Sequence, residues 1–243
     1  MKVLQIILIA IIALSGCNKR SNMVPATSND TITHMKTNTT ADTLTYLALG
    51  DSYSIGESVP QIQSYPYQLV NLLNFDAFHI QPPTVIATTG WTTDNLIGAI
   101  AQSNIHGKKY DIVTLLIGVN DQFQGLSQDN YRTRFTEVLN TAISFAKGNT
   151  DRVFVLSIPD YSVTPFAGGR DNTIGPQIDQ FNAINKAISL KAGVNYLDIT
   201  PISKKAATDP TLIAPDGLHP SGKMYTEWMN LLEPIVVARL QKH

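Results

Sequence analysis

Among the 243 residues, a few side chains in separate segments have the types that acyl-transfer chemistry requires. Ser52 lies in Gly50-Asp51-Ser52-Tyr53-Ser54, and a serine hydroxyl is a weak nucleophile until a base takes its proton. His219 is the candidate base. Of the other histidines, His34 falls in a polar N-terminal stretch, His243 is the last residue, and His79 and His106 fall in connecting segments. Asp216 precedes His219 by three residues and can accept the second ring N–H, which fixes the tautomer and stabilises the imidazolium. A tetrahedral intermediate also needs donors for its oxyanion. Gly90 could offer a backbone N–H, Asn120 a side-chain amide and Ser52 its own N–H; one such donor is typically worth about 10²–10³ in turnover.

The neighbours of these residues divide between chemistry and structure. Tyr53 and Trp91 are candidate substrate-pocket residues, although Trp91 could equally pack in the core. Asp51 and Asp121 read as carboxylates that hold turns by bonding backbone. Glu57 faces either the cleft or solvent. Residues 160–173 read as a long loop bordering the cleft, in which Arg170 is a solvated side chain or a contact for an anionic group.

The residues that must position this set lie in alternating strand-like and helix-like segments. Short β-prone apolar runs occupy residues 44–49, 84–87, 111–117, 152–158 and 194–199. Helical patterns occupy 65–75, 93–102, 127–147, 176–192 and 221–240, with Thr92 and Ser127 as caps and Gly148 and Gly193 after helix ends. Strand alternating with helix predicts a parallel sheet covered on both faces, with ligands at the C-terminal strand ends. Ser52, Gly90 and Asn120 each follow a strand run, and Asp216 and His219 follow the fifth.

The chain opens on a different composition. Residues 3–14 are apolar apart from Gln5, follow Lys2 and end in Leu14-Ser15-Gly16-Cys17. That length suits the apolar part of a signal peptide better than a membrane span. Cys17, the only cysteine, stands at the small-residue cleavage site, and the four residues resemble the lipobox of bacterial lipoproteins. The resemblance implies a signal peptide over residues 1–17, lipidation of Cys17 and attachment to the bacterial cell envelope. Residues 18–43, rich in Thr, Asn and Ser, then read as a disordered tether to a domain at 44–243. A net charge of −1 carries no basic excess of the kind nucleic acid attracts, and one cysteine with five histidines leaves little for a Cys/His metal cluster.

Gly50-Asp51-Ser52-Tyr53-Ser54, Gly90, Gly118-Val119-Asn120-Asp121 and Asp216-Gly217-Leu218-His219-Pro220 resemble, in order, the four sequence blocks of the SGNH, or GDSL-type, hydrolases. Tyr53 stands where the name-giving motif has leucine. The resemblance implies a three-layer α/β/α sandwich around a five-stranded parallel sheet, in the flavodoxin-like arrangement. It further implies Ser52 as nucleophile, Asp216 and His219 as its partners, and an oxyanion hole from Ser52, Gly90 and Asn120. The expected reaction is hydrolysis of a carboxylic ester, short-chain, lysophospholipid or acetylated-glycan, by a monomer needing no cofactor or metal. Two other classes compete: a metal-dependent phosphoesterase, and a surface lipid- or glycan-binding protein without catalysis.

Overall fold

The computed structural model describes residues 43–242. The signal peptide, Cys17 and all but the last residue of the expected tether lie outside the described residues, as does His243.

Five strands form one parallel sheet: β1 (Tyr46–Gly50), β2 (Thr84–Ala87), β3 (Ile112–Leu116), β4 (Val153–Leu156) and β5 (Asn195–Leu197), in the order β2-β1-β3-β4-β5. The three inner strands are fully buried, which explains why their sequences are continuous apolar runs without alternation. Helix α2 (Tyr65–Phe75) packs on α8 (Gly222–Leu240), while α3 (Thr93–Gln102), α5 (Gln128–Phe145) and α6 (Asp171–Ala192) pack on one another. The chain leaves β1 toward β2 and then returns past it to β3. With crossovers of one hand, that reversal puts α2 on one face of the sheet and α3, α5 and α6 on the other. Tyr65, Tyr225 and Trp228 fill the layer under α2 and α8, and Tyr131, Phe135 and Phe181 fill the one under α5 and α6. The three-layer sandwich is therefore observed.

The caps account for most helix starts. Thr92 and Asn95 form a reciprocal capping box on α3, and the hydroxyls of Ser127 and Ser221 accept the Asn130 and Met224 N–H groups. One boundary differs from the sequence expectation. Helix α6 begins at Asp171, not Pro176, so the loop after β4 is shorter and Pro176 lies inside the helix. Proline there forfeits one backbone bond. Burial of Ile174, Gly175 and Ile178 carries the helix through it. Three short helices were not foreseen: α1 (Ser52–Ile55), α4 (Val119–Phe123) and α7 (Thr200–Lys204). No helix of the described residues is long and apolar enough to cross a membrane.

The strand order places its reversal at β1 and β3, and the chain entering α1 and α4 departs from those two ends. Gly50 is the tightest point. A Cβ there would stand 2.0 Å from the Ser54 Oγ and 2.4 Å from the Leu116 carbonyl oxygen. The hydroxyl can turn away but the β3 backbone cannot. Gly50→Ala should therefore destabilise the fold by roughly 2 kcal/mol, read as a lower urea midpoint at unchanged slope. A wild-type midpoint would show that the strand yields.

Candidate active site

Ser52 opens α1 one residue after β1. Asp51 caps that helix by accepting the Tyr53 N–H at 3.0 Å, which turns the chain so that Ser52 leaves the sheet at its C-terminal edge. On the far side, a loop from Leu212 to Ser221 is closed by a bridge between Ile213 and Pro220, with the Ala214 N–H on the His219 carbonyl at 2.7 Å. Gly217 takes φ +75° in that turn, a conformation a side chain would strain. The loop carries Asp216 and His219 to Ser52.

The three side chains form a continuous relay. The His219 Nε2 lies 3.0 Å from the Ser52 Oγ, and its Nδ1 lies 2.6 Å from the Asp216 Oδ2. The other carboxylate oxygen accepts the N–H groups of Leu218 and His219 at 2.9 and 3.0 Å. Burial acts to raise the Asp216 carboxyl, but the His219 ring, the Ser58 hydroxyl and those two N–H groups outweigh it. The group is held well below the usual carboxylate range, and so stays ionised. Ser52 and His219 are both buried, and the Tyr53 ring meets the imidazole edge to face at 5.6 Å between centroids.

Gly90 and Asn120 line the same cleft as Ser52 and His219. Gly90 adopts φ +82° after β2. The Asn120 amide gives one N–H to the Trp91 carbonyl at 3.0 Å, which fixes its plane and leaves its second N–H for a ligand oxygen. Behind it, Asp121 accepts the backbone N–H of Thr93 at 3.0 Å and its hydroxyl at 2.5 Å. Asp121 thus ties α4 to the start of α3. Burial raises its carboxyl above the ordinary value despite these bonds.

The cleft encloses about 120 Å³. Its apolar wall comes from Val119, Phe123, Tyr161, Phe166 and Leu218, and three of these form a triangle of rings 6.0–6.5 Å apart. Tyr53 lines the cleft, whereas Trp91 does not; it packs partly buried against the core. Arg170 donates to the carbonyls of Ala167 and Phe166, so it fastens its own loop. Glu57 accepts the hydroxyl of Thr89, beside Gly90. Sequence reading missed Phe123, and it set residues 160–173 beside the cleft without singling out Tyr161 and Phe166. The available signal was weak: Phe123 follows Asn120 by three residues, about one helical turn. Among the described residues, no three His, Cys, Asp or Glu side chains gather in a way that could hold a metal ion.

Residues 48–226 match the model of the GDSL-like lipase/acylhydrolase family, which spans most of the chain and all the groups just described. The chain belongs to that family. Membership in it makes the chain a carboxylic ester hydrolase. Solved structures share the GDSL hydrolase fold. A psychrotrophic esterase, EstA, from Pseudoalteromonas sp., in a structure inhibited by monoethylphosphonate, superposes with a TM-score of 0.63 at 16% identity over 82% of this chain and 100% of that one. A lipase/acylhydrolase from Enterococcus faecalis gives 0.63 at 18% identity, over 81% and 96%. Axe2, an acetylxylan esterase from Geobacillus stearothermophilus, gives 0.61 at 18%, over 82% and 95%. No curated protein matches the chain in sequence.

Proposed function

We propose that this GDSL hydrolase cleaves short-chain carboxylic esters through an acyl-enzyme formed on Ser52. The observation that carries the reading is the relay from Asp216 through His219 to the Ser52 hydroxyl. His219 removes the Ser52 proton as the oxygen attacks the ester carbonyl, and Asp216 holds the imidazolium that results. The oxyanion is received by the backbone N–H groups of Ser52 and Gly90 and the free amide N–H of Asn120. His219 then protonates the leaving alcohol. It later takes a proton from water, whose oxygen attacks the acyl carbon and returns Ser52. No cofactor enters these steps.

The small cleft and its aromatic wall favour a short acyl group over a long chain. An acetylated glycan fits this as well as a short-chain ester of another alcohol; the acetylxylan esterase Axe2 shares the fold. A lysophospholipid would have to leave most of its chain outside the cleft. The N-terminal Leu14-Ser15-Gly16-Cys17 supports lipidation at Cys17 and a place at the cell envelope, where such substrates occur. We take the protein to act there as a monomer.

Treatment with a fluorophosphonate should leave one covalent adduct, on the peptide containing Ser52, and abolish turnover of p-nitrophenyl acetate. Among p-nitrophenyl esters, acetate or butyrate should be preferred to palmitate. An adduct elsewhere, or none, would overturn the Ser52 mechanism; a palmitate preference would overturn the short-chain assignment.

A further inference from the structure

The Asp216 carboxylate accepts four hydrogen bonds, and three come from its own loop. The fourth comes from the Ser58 hydroxyl, at 2.7 Å from the Asp216 Oδ2, across 158 residues of chain. It lands on the oxygen that His219 uses. We infer that Ser58 is a positioning residue of the site, fixing the plane and charge of the carboxylate that faces His219. The inference rests on the serine mechanism proposed above.

The backbone around Ser58 is arranged for this contact. Ser58 takes φ +65°, the left-handed region that a residue with a Cβ enters at a cost. A glycine would adopt it freely but would bring no hydroxyl. The segment hangs from the nucleophile itself, since the N–H groups of Gly56 and Glu57 both lie on the Ser52 carbonyl at 3.1 Å. Gly56, also left-handed, has no room for a side chain, because a Cβ would stand 2.4 Å from that of Ser64. Glu57 ties the same segment to Thr89. The side-chain bonds from Ser52 to His219 to Asp216 to Ser58 therefore close a ring through the backbone, since Glu57, next to Ser58, and Gly56 both hold the Ser52 carbonyl. A shift of Asp216 then requires a shift of the turn that carries the nucleophile.

The hydroxyl also draws off part of the charge that the carboxylate presents to the imidazolium. The other titratable groups facing Asp216 are His219 and the phenols of Tyr53 and Tyr225, both held neutral by burial. Glu57 turns to Thr89 instead. Loss of the Ser58 donor should thus leave more negative charge against the ring. The protonated ring is then favoured, so the acid limb of the activity profile should move to higher pH.

The test compares Ser58→Gly and Ser58→Ala in the full chain, using p-nitrophenyl acetate across pH together with thermal unfolding. Both variants should lose about tenfold in kcat at unchanged KM, and their acid limb in kcat/KM should rise by about half a pH unit. The glycine variant should melt no lower than wild type, because it relieves the backbone. Wild-type kcat and pH profile in Ser58→Gly would overturn the inference, as would a loss confined to Ser58→Ala, which would trace to strain. Ser52→Ala run alongside separates the two levels. If it stays active, the serine mechanism itself fails; if it is inactive while both Ser58 variants behave as wild type, only the role of Ser58 fails.

Discussion

Ser52→Ala should lower kcat for ester hydrolysis by about 10⁴-fold or more while leaving the melting temperature close to wild type. The substitution removes a single oxygen from the wall of a cleft, so little packing is lost. What it removes chemically is the hydroxyl that lies 3.0 Å from the His219 Nε2 and that the proposed mechanism makes the attacking group. His219→Ala should cost a similar factor, because without its base the hydroxyl keeps its proton. The double variant should be no worse than the poorer single one, since the groups act as a unit and cannot be lost twice. Steady-state kinetics with p-nitrophenyl acetate, beside circular-dichroism melts, would check all three proteins. A double variant far below both singles would show that Ser52 and His219 work independently.

The second large effect concerns stability. Asp51 is buried next to Ser52, its Oδ1 accepts the Tyr53 N–H, and its Oδ2 meets no donor. Burial pushes its carboxyl up to about 8, with the charge of Asp121 adding to the rise and the Tyr53 N–H opposing it. The sign follows from which state holds the proton. Between about pH 4 and 8 the unfolded chain has released it and the folded chain keeps it, so this group's contribution to stability falls as pH rises through that window. Asn at this position accepts the same N–H and caps a helix equally well, but it does not titrate. Asp51→Asn should therefore gain on wild type from pH 4 to pH 8, by an amount on the order of 3–6 kcal/mol. The quantity to read is the change with pH in the difference between the two unfolding free energies. The absolute difference also includes the burial of an added amide N–H. A difference that stays constant with pH would mean that Asp51 is ionised in the folded protein.

The fold was legible because each of its signals is local. Inner strands such as Ile112–Leu116 are buried on both sides and so read as unbroken apolar runs, and the Thr92 and Ser127 caps mark helix starts directly. The groups brought together around Ser52 were legible for a related reason. A parallel sheet delivers whatever follows its strands to one edge, so small and polar residues after three strands could be expected to meet. Other features depend on contacts distant in sequence. Ser58 looks like an ordinary loop serine until its backbone angle and its contact with Asp216 are known. Phe123, Tyr161 and Phe166 come from α4 and the loop after β4, and nothing in their spacing announces that their rings meet. Of the two places open to Trp91, the structure takes the core: adjacency to Gly90 in sequence did not put its ring in the cleft. The start of α6 was misjudged because proline commonly opens helices, and here apolar burial before Pro176 extended the helix backward.

The hydrogen bond between Ser52 and His219 joins residues 167 positions apart, one directly after the first strand and the other after the last. Strands β2 to β5 and helices α2 to α7 all lie between them in the chain. A molecule stalled with β5 undocked, or clipped before residue 219, would keep the serine but not the geometry that makes it reactive. Covalent phosphonylation should consequently count molecules whose chain has closed from end to end, whereas circular dichroism averages over partly assembled ones. In a refolding experiment, label incorporated at successive times would give the rate of the final assembly step. Its lag behind the recovery of helical signal would measure how long the sheet waits for its last edge.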